Sequence, residues 1–131
     1  MADFPALGHV ALTVKSVDAS RDWYAKLFGA EPVLDENTGP WHHVVWALPG
    51  GTLIGIHEHP STPADDTFSE YRLGLDHVSF HVGSRAELAE WANQLDQLGI
   101  KHSEIDDAPY GSGVSFRDPD GNALEFFTGP G

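Results

Sequence analysis

The chain has 131 residues, 40% of them hydrophobic and 21% charged, which is the make-up of one ordinary globular domain and excludes a disordered segment. Seven Lys plus Arg against 20 Asp plus Glu set the formal net charge at −13, a surface that repels a phosphate backbone, argues against nucleic acid as a partner and favours cations. There are no cysteines, so disulfides and thiolate metal sites are excluded, and imidazole and carboxylate remain as the strong side-chain ligands.

Taken in order, residues 1–5 are a short tail, and residues 7–14 alternate as a strand. Leu7, His9, Ala11 and Thr13 share one face of it, and Gly8, Val10, Leu12 and Val14 the other. Asp18 is the expected cap of the following helix. Trp23, Leu27 and Ser20 or Tyr24 mark its buried stripe, and Gly29 stands where it stops. Glu31 to Asp35 reads as a short strand, Asn37-Thr38-Gly39-Pro40 as a turn, and Trp41 to Leu48 as a strand. After the turn Pro49-Gly50-Gly51, a strand returns from Thr52 to His59. Its core, Leu53 to Ile56, is the longest apolar run and is far too short to span a bilayer. No basic start followed by an apolar segment argues for export, so cytoplasm is the default expectation.

Residues 60–74 are rich in loop formers and read as a connector. A second strand-helix unit then begins at residue 75. Ser84-Arg85-Ala86-Glu87 is a capping box. Leu88, Trp91, Leu95 and Leu98 give one apolar helical face, closed by Gly99. Ile100 to Ile105 is the expected next strand and residues 106–113 a loop carrying Tyr110. Two strands, Val114 to Arg117 and Asn122 to Phe127, are joined by the turn Asp118-Pro119-Asp120-Gly121.

The two halves are copies. At an offset of 68, Leu7/Leu75, His9/His77, Val10/Val78, Val14/Val82 and Ser16/Ser84 are identical, as are Trp23/Trp91 and Leu27/Leu95. The chain is therefore one α+β domain made of a β-α-β-β-β unit used twice: about residues 6–59, a linker at 60–74, and residues 75–128. Each unit has too few strands to be stable alone.

A histidine recurs at one place of both first strands, His9 and His77. Glu125, inside the otherwise apolar Ala123-Leu124-Glu125-Phe126-Phe127, is costly unless it is paired or bound to a cation. Two imidazoles and a carboxylate suit a divalent first-row metal with positions left open for substrate or water. The counterpart of Glu125 in the first copy is His57 if the offset of 68 is kept, or Gly55 if the turns are aligned. Strand parity cannot choose between them, because residues 55 and 57 point to the same side, whereas Glu58 points to the other. Tyr110 can hydrogen-bond a bound molecule. His42, His43, His59 and His102 read as solvated or structural, and Trp23 and Trp91 as helix-to-sheet packing.

On LGHVALTV with His9, LDHVSFHV with His77 and the closing FRDPDGNALEFF with Glu125, the chain resembles the vicinal oxygen chelate superfamily over residues 6–128. This superfamily includes glyoxalase I, extradiol dioxygenases, fosfomycin resistance enzymes and bleomycin resistance proteins. The resemblance implies a cupped mixed sheet ringed by four inward positions, three of them matched by His9, His77 and Glu125, with His57 the candidate fourth. It implies a divalent ion (Fe, Zn, Ni, Mn or Co), a substrate chelating that ion through adjacent oxygens, and a homodimer; Glu125 and Tyr110 are the candidate catalytic residues. Lyase, isomerase and ring-cleaving dioxygenase chemistry stand side by side. The alternative is a metal-free protein that sequesters a cationic drug.

Overall fold

The computed structural model describes residues 2–38 and 41–131 and divides the chain into two compact units, Met1–Asp66 and Thr67–Gly131. The division falls inside the expected linker. Each unit is a four-stranded mixed sheet with one helix, as the repeat predicts.

In the first unit, β1 (His9–Thr13) leads into α1 (Val17–Phe28), followed by β2 (Leu34–Thr38), β3 (Trp41–Ala47) and β4 (Leu53–Glu58). The sheet order is β1-β4-β3-β2, with β1 parallel to β4 and the other pairs antiparallel. Alternation does what it predicts: Leu12 and Val14 of the first strand region, Val44 and Trp46 of β3, and Ile54 and Ile56 of β4 are buried. Helix α1 packs on β3 and β4 through Val17, Ser20, Tyr24 and Leu27. Burying such apolar side chains stabilises by about 1.5–3 kcal/mol each. The indole N–H of Trp46 is satisfied by the Ala30 carbonyl at 3.1 Å. Trp23, expected on this stripe, is only half-buried; it lies edge-on to Tyr24, which takes the core position.

The second unit repeats the order with β5 (Val78–His81), α2 (Arg85–Gln97), β6 (Asp106–Ala108), β7 (Gly111–Arg117) and β8 (Ala123–Thr128), arranged β5-β8-β7-β6. Leu88 and Leu95 of α2 are fully buried against β7 and β8. Trp91 stacks on Phe126 at 4.6 Å, as expected of a helix-to-sheet contact, and Phe116 stacks on the same ring at 5.2 Å. The hairpin turn is held by Asp118, whose Oδ1 accepts from the N–H groups of Asp120 and Asn122, each at 2.9 Å.

Several expectations shift. Ser16, not Asp18, caps α1, its hydroxyl accepting from the Ala19 N–H at 3.2 Å; Asp18 sits in the first turn, where a carboxylate favours the helix dipole. Ser84 caps α2 as the box requires, but Glu87 reaches back one residue further, to the Gly83 N–H at 3.0 Å. The second strand begins at Leu34 rather than Glu31, so Asn37 and Thr38 are strand and not turn; Gly39 and Pro40 lie outside the described residues. Between residues 100 and 105 only a single bridge forms, His102 with Phe116. The strand is instead Asp106–Ala108, because Gly111, at φ 147°, turns the chain so that these residues face the start of β7.

Candidate functional site

In each sheet one face is covered by the helix and the other carries the polar positions. On the open face of the second unit lie His77, Ser79, Glu125 and Phe127. His77 stands just ahead of β5, and Glu125 is the centre of β8, paired with Ser79 on one side and Ser115 on the other. The neighbours of Glu125 along the strand, Leu124 and Phe126, point into the core, so strand parity alone delivers the carboxylate to this face.

His77 Nε2 lies 3.6 Å from Glu125 Oε1, and His77 Nδ1 lies 2.7 Å from Asp76 Oδ1. An ionised carboxylate only accepts, so in a neutral ring the Asp76 contact puts the proton on Nδ1 and turns the Nε2 lone pair towards Glu125. Two acceptors thus confront one another, an arrangement that only a proton or a cation between them makes attractive. A cavity of about 400 Å³ opens beside the pair; Asp106, Ser115, Tyr110 and Phe127 complete most of its wall. The Tyr110 ring lies nearly parallel to Phe127 at 6.2 Å and is 72% exposed. Gly113 makes room for the carboxylate: a Cβ there would stand 3.1 Å from Glu125 Oε2.

The first unit has the equivalent cavity, about 260 Å³, lined by His9, His43, His57, Gly55, Val45 and Leu53 among others. Pairing register resolves the alternative that sequence left open. Ser79 pairs with Glu125, and its counterpart Ala11 pairs with Gly55; Ser115 likewise pairs with Glu125, and Val45 with Gly55. Gly55 therefore holds the place of Glu125, and His57 that of Phe127. The Val14 N–H bonds the His57 carbonyl just as the Val82 N–H bonds that of Phe127, both at 2.9 Å. Burial and the neighbouring His43, His59 and His9 push the His57 pKa below the ordinary histidine value. Glu58 points to the helix side, where its Oε1 accepts from the Val17 N–H at 2.8 Å.

The structure thus brings His77 and Glu125 together, seats Tyr110 in the same cavity, and groups His9 with His57 in the first unit. Among the described residues no three histidine or carboxylate side chains stand close enough to hold a metal ion. Asp76 escaped the sequence reading, because it acts on its immediate neighbour, a relation that periodicity does not register. His43, read as solvated or structural, lies instead in the wall of the first cavity, on the same face as Val45.

Two copies of one β-α-β-β-β unit, each with a histidine-bearing cavity on its uncovered face, define a duplicated α+β domain. The chain belongs to the Glyoxalase/Bleomycin resistance protein/Dioxygenase superfamily, whose family model matches residues 6–126. It is 22% identical over 125 residues to the metallothiol transferase FosB of Staphylococcus haemolyticus, covering 94% of this chain and 83% of that one. It is 31% identical over 133 residues to biphenyl-2,3-diol 1,2-dioxygenase 3 of Rhodococcus globerulus, covering 92% of this chain and 62% of the relative. In structure it is similar to a glyoxylase/bleomycin resistance protein/dioxygenase domain from Frankia sp. EAN1pec, with a TM-score of 0.88, 32% identity, and coverage of 98% of this chain and 100% of that one.

Proposed function

We propose that the chain is a metal-dependent enzyme acting on a small molecule that presents two adjacent oxygens, with His77 and Glu125 as the heart of its metal centre. The observation that carries this reading is the Nε2 lone pair of His77 set 3.6 Å from a Glu125 oxygen, while Asp76 occupies the other ring nitrogen. The donors fit. Two ligands sharing an ion at about 2.1 Å each stand ~3.0–3.4 Å apart, so a small side-chain adjustment closes the observed gap. Relatives named as a metallothiol transferase and a diol dioxygenase support metal dependence. His9 is the proposed third ligand, on the resemblance alone. His57, at the register place of Phe127, is given no part in this centre.

A bound divalent ion would supply Lewis acidity, stabilising negative charge that develops on a chelating oxygen. The chain's own groups do the rest. Glu125 is the proton acceptor beside a carbonyl in a lyase or isomerase reaction, and a ligand only in ring cleavage. Asp76 holds the His77 ring in one tautomer and orientation. Tyr110 offers its hydroxyl to a substrate oxygen, and Phe127 gives the cavity an apolar wall against which a carbon skeleton can lie. The resemblance further supports a homodimer.

A second reading, metal-free sequestration of a cationic molecule, is favoured by one feature: among the described residues that line this cavity, Asp106 and Glu125 are acidic and none is Lys or Arg. Elemental analysis of untagged protein separates the two. The enzyme reading expects a divalent ion, one equivalent of which is lost in His77→Ala and in Glu125→Ala. If neither substitution changes metal content and a cationic ligand binds tightly to metal-stripped protein, sequestration is the function.

A further inference from the structure

We propose that the first unit carries a transition-metal site of its own, built on the facing imidazoles of His43 and His57. The site goes beyond the His77–Glu125 reading and does not rest on it. His43 and His57 are directly opposite one another on the antiparallel strands β3 and β4. Their rings stack at 5.0 Å with an interplanar angle of 16°, and His59 continues the row, 6.1 Å from His57. Cross-strand partners on one face are the closest side chains a sheet offers, so the two imidazoles are joined through a short, rigid backbone connection.

His43 Nδ1 is buried and has no hydrogen-bond partner. Buried polar atoms in folded proteins nearly always have one, and an orphaned ring nitrogen is a donor in want of an acceptor or a lone pair in want of a cation. The space for an occupant exists: the cavity of about 260 Å³ has His43, His57 and His9 in its wall. Gly55 adds no side chain to this wall; a Cβ there would crowd the Val44 carbonyl at 3.3 Å and reach ordinary contact with His57 Nε2 at 3.9 Å.

The chemistry selects the class of ligand. A donor set of imidazoles with neither carboxylate nor thiolate suits Cu(II), Ni(II) or Zn(II) and is poor for Mg(II) or Ca(II). The net charge of −13 draws cations to the chain. Since no three donors converge among the described residues, the site is a two-imidazole chelate whose shell is completed by solvent. Stacked rings present their nitrogens side by side, so one ring must swing about its χ angles to bring both onto a common ion.

The test uses full-length, metal-stripped protein carrying His77→Ala and Glu125→Ala, so that the second unit contributes no ligand pair. Copper(II) is titrated by calorimetry, and the product is examined by electron paramagnetic resonance. One equivalent bound at micromolar concentration, with hyperfine structure from imidazole nitrogen, is expected. Adding His43→Gln is expected to weaken binding at least tenfold and to simplify the nitrogen pattern. His57→Phe is the folding-safe companion, since phenylalanine is the residue the second unit carries at the equivalent place. Binding undiminished in both variants, or no copper binding at all by the His77→Ala, Glu125→Ala chain, overturns the proposal. Neither of those results bears on whether His77 and Glu125 hold a metal in the unaltered chain.

Discussion

Glu58 offers a sharp test of which acid serves the fold and which serves chemistry. Its carboxylate lies on the helix side of β4 and accepts the N–H of Val17, the first residue of α1, at 2.8 Å. The Ser16 hydroxyl satisfies Ala19 at the same helix end. A hydrogen bond to a charged group is worth about 1.5–3 kcal/mol. The bond is only partly buried, and water recovers some of the loss, so Glu58→Ala is expected to cost ~1–2 kcal/mol. For a chain of this length that is a fall in Tm of about 3–10 °C. Glu58→Gln keeps an acceptor and loses the interaction of a full charge with the helix N-terminus, ~0.3–1 kcal/mol, so it should fall in between. Thermal unfolding by circular dichroism reads the stability and elemental analysis the metal. Loss of stability with metal content unchanged is the expected pair of results. An unchanged Tm accompanied by loss of metal would refute the assignment and return Glu58 to the open face as a ligand.

Gly111→Ala should destabilise by ~2–5 kcal/mol in urea unfolding. Its φ of 147° strains any L side chain, and a Cβ there would run into the Thr128 carbonyl and the Phe127 ring; a midpoint within error of the parent would contradict this. Asp107 should titrate at about 2, because Arg85, and after it Ser112, hydrogen-bond its ionised form. Its folded-state value lies below the ordinary one near 3.8, so its contribution to stability is complete above that pH and is lost as pH falls towards 2. Carboxyl carbon NMR checks the value, and Arg85→Ala should return it towards 3.8. A titration that Arg85→Ala leaves in place would show that the pair seen at 2.9 Å does not persist in solution.

Much of this architecture is legible in the chain because it depends on short-range rules. Alternation split residues 7–14 into two faces, and the one with Leu12 and Val14 is the buried one; Asp118 to Gly121 announced its turn. What was illegible depended on partners. The stretch from Ile100 to Ile105 has the composition of a strand, but a strand exists only where a neighbour's backbone lies alongside, and β7 offers itself to Asp106–Ala108 instead. Asp18 and Ser16 are both capping types, and only the backbone entering the helix decides between them. Gly55 and His57 share a parity, so their equivalence to Glu125 or Phe127 required the inter-strand register.

That register also explains how one scaffold came to carry two different sets of side chains. On the helix side the copies match in kind: Val44 with Val114, Trp46 with Phe116, Ile54 with Leu124, Ile56 with Phe126, all buried. This face carries most of the apolar burial, and a change there costs kilocalories. The uncovered face answers to no such demand, and there the copies part. Glu125 is replaced by Gly55, Phe127 by His57 and Gly113 by His43, always at matching cross-strand places. The exchanges are sterically coupled: in the second unit a glycine opposite the large Phe127 lets the ring lie flat beside the carboxylate, whereas in the first unit two middle-sized imidazoles face one another and the glycine has moved to the place of the acid. The side chains of the two copies therefore diverge on the side of the sheet that stability leaves alone, where an acid and an aromatic ring occupy one unit and a row of histidines the other.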